Sequence, residues 1–122
     1  MPMINAMSSQ AIEYFSQPGH PYNCAQSVAM GAGRPELAEA LRTCGGGRAP
    51  DGLCGALYAA LQLTPPDRHE AVRQAFASQA GALKCREIKG AAAPTPCARC
   101  VQIAAALAET AGNGGEPRLN RG

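Results

Sequence analysis

The stretch from Cys44 to Leu63, Cys-Gly-Gly-Gly-Arg-Ala-Pro-Asp-Gly-Leu-Cys-Gly-Ala-Leu-Tyr-Ala-Ala-Leu-Gln-Leu, limits the folds open to this chain more than any other. A glycine-rich approach passes through Pro50-Asp51-Gly52 into an apolar run in which Cys54, Leu57, Tyr58 and Leu61 recur at i, i+3, i+4 and i+7. That period belongs to a helix with one buried stripe rather than to a strand. Asp51 is the natural N-cap, because its carboxylate can accept a bond from an amide that the first turn leaves unpaired. Cys54 is then expected near the third helical position, on the inward stripe, where the positive end of the helix dipole favours a thiolate over a thiol.

The same device, a cap followed at once by a cysteine, returns along the chain. Asn23 is placed to cap a helix whose first residue is Cys24. Thr95 is expected to cap, and Pro96 to start, a final helix on which Cys97, Cys100, Val101, Ala104, Leu107 and Ala108 fall on one stripe. Between these, Ser8 or Ser9 can cap a helix through Ser16, Pro35 can open another through Thr43, and Val72, Ala75, Phe76, Gln79, Ala80 and Leu83 mark an amphipathic helix over 68–83. Residues 83–88, which carry Cys85, read as its last turn or as a separate short helix. Lys89 to Pro94 reads as a loop. No strand-like alternation of useful length occurs. The fold class predicted is all-α, a compact bundle of five or six short helices. Residues 1–7 form a lead-in, 8–111 a single domain carrying the cysteines, and 112–122 a polar, glycine-rich tail expected to be disordered.

With 122 residues the chain has room for one modest core, and with aromatics at 4% much of the packing must fall to alanine. The formal net charge is +2, with lysines and arginines scattered, which argues against nucleic acid or an anionic membrane as the principal partner. The first ten residues lack the basic start and apolar run of a signal peptide, and no apolar stretch suffices to span a bilayer, so a cytoplasmic location without membrane insertion is expected. In a reducing compartment, six cysteines read as metal ligands or redox thiols rather than as three disulfides.

If the cysteine-bearing helix starts converge, three chemistries become available. Four thiolates from Cys24, Cys54, Cys85 and Cys97 can hold an iron–sulfur cluster. They can equally hold a structural Zn²⁺, as in a non-catalytic interaction module. Without metal, Cys97-Ala-Arg-Cys100 is a dithiol with the spacing of thiol–disulfide oxidoreductases, in which Cys54 or Cys97 would attack and Cys100 would resolve. The single CxxC pair falls short of a zinc ribbon, which needs two, and the chain lacks the βαβ context of thioredoxin. Free cysteine also packs as a small hydrophobe, and nothing local activates Cys44, so packing is its plain role. His20 and His69 read as surface residues, His20 being close enough to Cys24 to be considered as a ligand. Gly45-Gly46-Gly47 is no phosphate loop, since no lysine followed by serine or threonine comes after it; it reads as close backbone approach.

Tyr22-Asn23-Cys24-Ala25-Gln26-Ser27-Val28, Gly45-Gly46-Gly47, Leu53-Cys54-Gly55-Ala56-Leu57, Lys84-Cys85-Arg86-Glu87-Ile88, and Cys97 followed by Val101 and Ala104 occur in that order. Together they resemble the redox-active family named for its C…GCAxxG…C…C cysteine pattern. The resemblance runs from Tyr22 to Ala108. It implies a small helical protein with signature cysteines at Cys24, Cys54, Cys85 and Cys97; selenocysteine in some members implies a reactive rather than a structural chalcogen. Cys44 and Cys100 are additional, Cys100 competing with Cys97 as fourth ligand, and Ala59 stands where the signature has glycine. The leading expectation is an iron–sulfur cluster passing electrons to an unidentified redox partner protein, with metal-free dithiol chemistry or a structural zinc as alternatives. A homodimer is conceivable for so small an alanine-rich bundle.

Overall fold

The computed structural model describes residues 6–19, 21–44, 49–91 and 95–112. Within them the chain forms seven α-helices: α1 (Ala6–Phe15), α2 (Cys24–Gly31), α3 (Pro35–Ala40), α4 (Gly55–Gln62), α5 (His69–Ala80), α6 (Cys85–Lys89) and α7 (Cys97–Gly112). Short 3-10 turns lie at Pro50–Gly52 and Pro66–Arg68. The sole β pairing among the described residues is one antiparallel bridge, Leu53 to Lys84. The all-α class read from the sequence is the one observed. The helix count exceeds five or six because Cys85–Lys89 stands apart: Gly81, at φ +99°, turns left-handed and ends α5 before the chain can continue as helix.

α2, α4 and α7 pack on one another, α1 lies across α2 and α7, and α5 covers α7 and α4. Phe76, Leu57, Val28 and Val101 are the large side chains at the centre. Between them sit Ala25, Ala29, Ala56, Ala59, Ala60, Ala104 and Ala105, all inaccessible to solvent. Their short side chains let helix axes approach closely, which compensates for the scarcity of aromatic rings.

Asn23 caps α2 as its sequence predicts and does more. Its side-chain oxygen accepts from the Gln26 amide at 2.7 Å, while Gln26 Oε1 accepts from the Asn23 amide at 3.1 Å, a closed capping box. The Asn23 amide group also donates to the carbonyls of Leu41 and Arg42, at 3.2 and 2.9 Å. One side chain thus starts the Cys24 helix and pins the segment that leads to Cys44.

Three expected boundaries move. Asp51 does not cap α4: it sits exposed in the 3-10 turn at φ +62°, and the helix begins at Gly55 with Cys54 as its N-cap residue. The reason is tertiary, since the Cys54 amide donates to the Leu83 carbonyl at 2.9 Å and holds the chain extended until that point. α7 begins at Cys97 rather than at Pro96, and the Thr95 hydroxyl donates to the Ala80 carbonyl at 2.8 Å, tying the approach to α7 onto the end of α5. Ser8 and Ser9 lie inside α1, which already runs from Ala6. His20, Gly45 to Gly47, most of the 1–7 lead-in and nearly all of the 112–122 tail lie outside the described residues.

Candidate functional site: a thiol cleft at converging helix starts

Cys24 is the first residue of α2, Cys54 the cap residue of α4, Cys85 the first of α6 and Cys97 the first of α7, with Cys100 one turn on. These four helix starts meet around a cleft of about 40 Å³ lined by Cys24, Cys54, Cys85, Cys97 and Cys100, together with Ile88 and Lys89. The fold therefore brings together every cysteine that the sequence singled out. Cys44 is the exception: half-buried, it lies outside the cleft lining.

Gly55 makes the convergence possible. A Cβ at this position would lie 2.5 Å from the Cys44 carbonyl oxygen and 3.0 Å from the Cys24 sulfur. Neither backbone nor thiol could stay where it is. Absence of a side chain at Gly55 thus brings the Cys24 sulfur against the start of α4, and the Cys44 segment serves as backing for that contact.

The cleft is graded from rim to floor. Cys54 and Cys100 are buried, at 5% and 3% exposure, whereas Cys24, Cys85 and Cys97 are half-buried. At the rim, Lys89 Nζ donates to the Cys97 sulfur at 2.9 Å. That sulfur holds the Lys89 ammonium charged to higher pH than an ordinary lysine. Cys85, on the same short helix, is pushed up by burial, with Lys89 pulling it partly back.

Deeper in, the half-buried Cys24 and the buried Cys54 and Cys100 act on one another in a row. The Cys54 sulfur beside Cys24, reinforced by burial, pushes the Cys24 thiol far up, against the opposing pull of the Ala56 and Ala25 amides. Cys54 is pushed up to about 11, chiefly because the Cys100 sulfur takes its proton in a hydrogen bond, while Cys24 and the Leu57 amide pull the other way. Cys100 is held below the usual thiol range, with the Cys54 thiol donating to it. Donation thus runs Cys24 to Cys54 to Cys100, and negative charge on the floor is best placed on Cys100. The amides at the start of α4 do reach sulfur as the sequence suggests, but neighbouring thiols outweigh them. Cys54 is consequently a protonated, buried thiol at neutral pH rather than one poised to ionise.

Cys24, Cys54, Cys85 and Cys97 carry the donor chemistry of an iron–sulfur or zinc site, but among the described residues no group of three or more His, Cys, Asp or Glu side chains is disposed to hold a metal ion. His69 is no candidate ligand: its Nε2 lies 3.0 Å from the Thr64 carbonyl, at the start of α5.

Lys89 is the cleft residue that sequence reasoning missed, having been assigned to a loop. Its spacing of four from Cys85 puts both on one helix face, a signal that becomes readable only once α6 is recognised as a helix. The chain matches no protein-family model, and no curated protein or solved structure is significantly similar to it.

Proposed function

We propose that the protein is a small thiol-based redox protein in which Cys97 and Cys100 form an exchanging dithiol that passes electrons between a disulfide substrate and a redox partner protein. The observation that carries this is the asymmetry of the pair: Cys97 is half-exposed with the Lys89 ammonium 2.9 Å from its sulfur, and Cys100 lies one helical turn deeper and buried. An accessible attacking thiol backed by a protected resolving thiol is what exchange through a mixed disulfide requires.

In the first step the Cys97 thiolate attacks one sulfur of the substrate disulfide, forming a mixed disulfide and releasing the other half as thiolate. Lys89 stabilises the negative charge on Cys97 before attack, and again whenever Cys97 is the leaving group. Cys100, the floor thiol most ready to lose its proton, then attacks the Cys97 sulfur, releases the second half of the substrate and leaves a Cys97–Cys100 disulfide. A reductant thiol of the partner reverses both steps. Such chemistry suits a reducing compartment, and we place the protein in the cytoplasm. Of the residues that support it, Cys97 belongs also to the resemblance to the C…GCAxxG…C…C family, whose redox label the reading shares, while Cys100 and Lys89 lie outside that pattern.

A second possibility, electron transfer through an iron–sulfur cluster, draws its support from the convergence of Cys24, Cys54, Cys85, Cys97 and Cys100 on one cleft. The deciding experiment is anaerobic purification of the untagged protein, followed by iron, zinc and sulfide analysis and alkylation of the same sample with peptide mapping. Metal-free protein whose Cys97 is modified first, and which forms a Cys97–Cys100 disulfide with a small disulfide oxidant, supports the dithiol. Stoichiometric iron with visible absorption replaces it with the cluster. Zinc whose chelation unfolds the chain makes the site structural.

A further inference from the structure

Beside the Cys97–Cys100 pair the cleft holds a second pair of thiols, Cys24 and Cys54, that the exchange reaction leaves unused. Cys54 is the link, with its sulfur interacting with Cys100 on one side and with Cys24 on the other. Cys24 is held in place independently, its sulfur packed against the Gly55 position next in the chain to Cys54. All four cysteines line one cleft.

We infer that the cleft is a two-stage disulfide relay, in which the oxidising equivalent taken up at Cys97–Cys100 moves on to a Cys24–Cys54 disulfide and leaves the first pair free to react again. The relay presupposes the dithiol function proposed above and extends it to a chain that stores two disulfides. In the first transfer the Cys54 thiol attacks the Cys100 sulfur of the Cys97–Cys100 disulfide. The Cys54–Cys100 bond forms, the Cys97–Cys100 bond breaks, and Cys97 leaves as a thiolate beside Lys89, taking up the proton that Cys54 gives up. In the second transfer the Cys24 thiol attacks the Cys54 sulfur. The Cys24–Cys54 bond forms, and Cys100 leaves and takes the proton that Cys24 loses. Each transfer exchanges one disulfide for another, so no further oxidant is consumed between the stages.

The test uses the fully reduced whole chain and dithiodipyridine as the disulfide oxidant. One equivalent is added, samples are quenched in acid at intervals, free thiols are alkylated and disulfides are mapped by mass spectrometry. The relay predicts an early Cys97–Cys100 disulfide that decays into Cys24–Cys54, with Cys97 and Cys100 again open to alkylation, and both disulfides in one chain after a second equivalent. Cys24→Ser should halt transfer at Cys54–Cys100, and Cys54→Ser should hold it at Cys97–Cys100. A wild-type chain that keeps Cys97–Cys100 indefinitely, with Cys24 and Cys54 always alkylatable, overturns the relay while leaving the dithiol intact. A chain in which no Cys97–Cys100 disulfide appears at any time overturns the dithiol function as well. Because the wild-type time course decides the matter, the result stands even if a serine variant folds poorly.

Discussion

Two residues of the cleft, one at the rim and one buried, make separate predictions. Lys89 stabilises charge on Cys97 at the rim, so Lys89→Met should slow reaction of Cys97 with a small disulfide at pH 7 by roughly two- to fivefold, the worth of an exposed charge pair. Lys89→Arg should restore most of the rate, and the difference between Met and Lys should shrink in high salt, as screening requires. Stopped-flow rates for the three proteins at two ionic strengths check this. Cys54 behaves differently because it is buried and its ionisation is moved from the usual 9.0 up to about 11. The unfolded chain therefore releases this proton at lower pH than the folded one. The preference of the folded state for the protonated thiol is intact below pH 9 and is lost as pH rises through about 11. Cys24, shifted in the same direction, adds to the effect. Urea unfolding of the reduced protein should show stability falling across that window, by on the order of 1–3 kcal/mol for Cys54. A flat profile there would mean that Cys54 is not buried as a thiol.

At the scale of the elements, the cleft depends on how the helices start. Asn23→Ala removes the capping box of α2 and releases two carbonyls near the end of α3. The cap alone is worth about 1–2 kcal/mol, and denaturant unfolding should show a loss at the upper end of that range. Gly55→Ala tests close approach instead: the added methyl would meet the Cys44 carbonyl at 2.5 Å, and an overpacked contact of this kind costs about 1–3 kcal/mol. The two variants should differ in chemistry as well as in stability. Gly55→Ala displaces the Cys24 sulfur from α4 and should impair formation of the Cys24–Cys54 disulfide, whereas Asn23→Ala should slow it less at temperatures where the protein remains folded.

Over the whole molecule, reactivity is controlled by a core that contains few large side chains. Phe76 is completely buried and lies on α5, which covers α7 and α4. Phe76→Ala should cost about 3–5 kcal/mol. It should also raise the rate at which a bulky maleimide labels Cys100 and Cys54, since access to these buried thiols requires the bundle to open. Labelling of Cys97 at the rim should change much less, and peptide-resolved alkylation separates the two. No helix among the described residues is long and apolar enough to cross a membrane.

The sequence by itself determined the helical class, the approximate extent of most helices and the capping of α2, because these follow from apolar spacing and from residues adjacent in the chain. The stripe of Cys97, Cys100, Val101, Ala104, Leu107 and Ala108 was legible for the same reason, and it faces inward in the structure, with all but the half-buried Cys97 and Leu107 classed as buried. Where distant segments intervene, local signals were overruled. Asp51 has the chemistry of a cap, yet the bond from the Cys54 amide to Leu83 fixes the start of α4. The Thr95 hydroxyl also makes a distant bond, to the Ala80 carbonyl, which nothing adjacent in the chain announces. Whether the cysteine-bearing helix starts met at all, which sulfurs became floor and which rim, and that Lys89 reached Cys97 were decided only by the packing of α2, α4, α6 and α7. The direction of a proton between two thiols depends on distances across the fold, and the helix-start rule that favours a Cys54 thiolate yields to the Cys100 sulfur that packing places beside it.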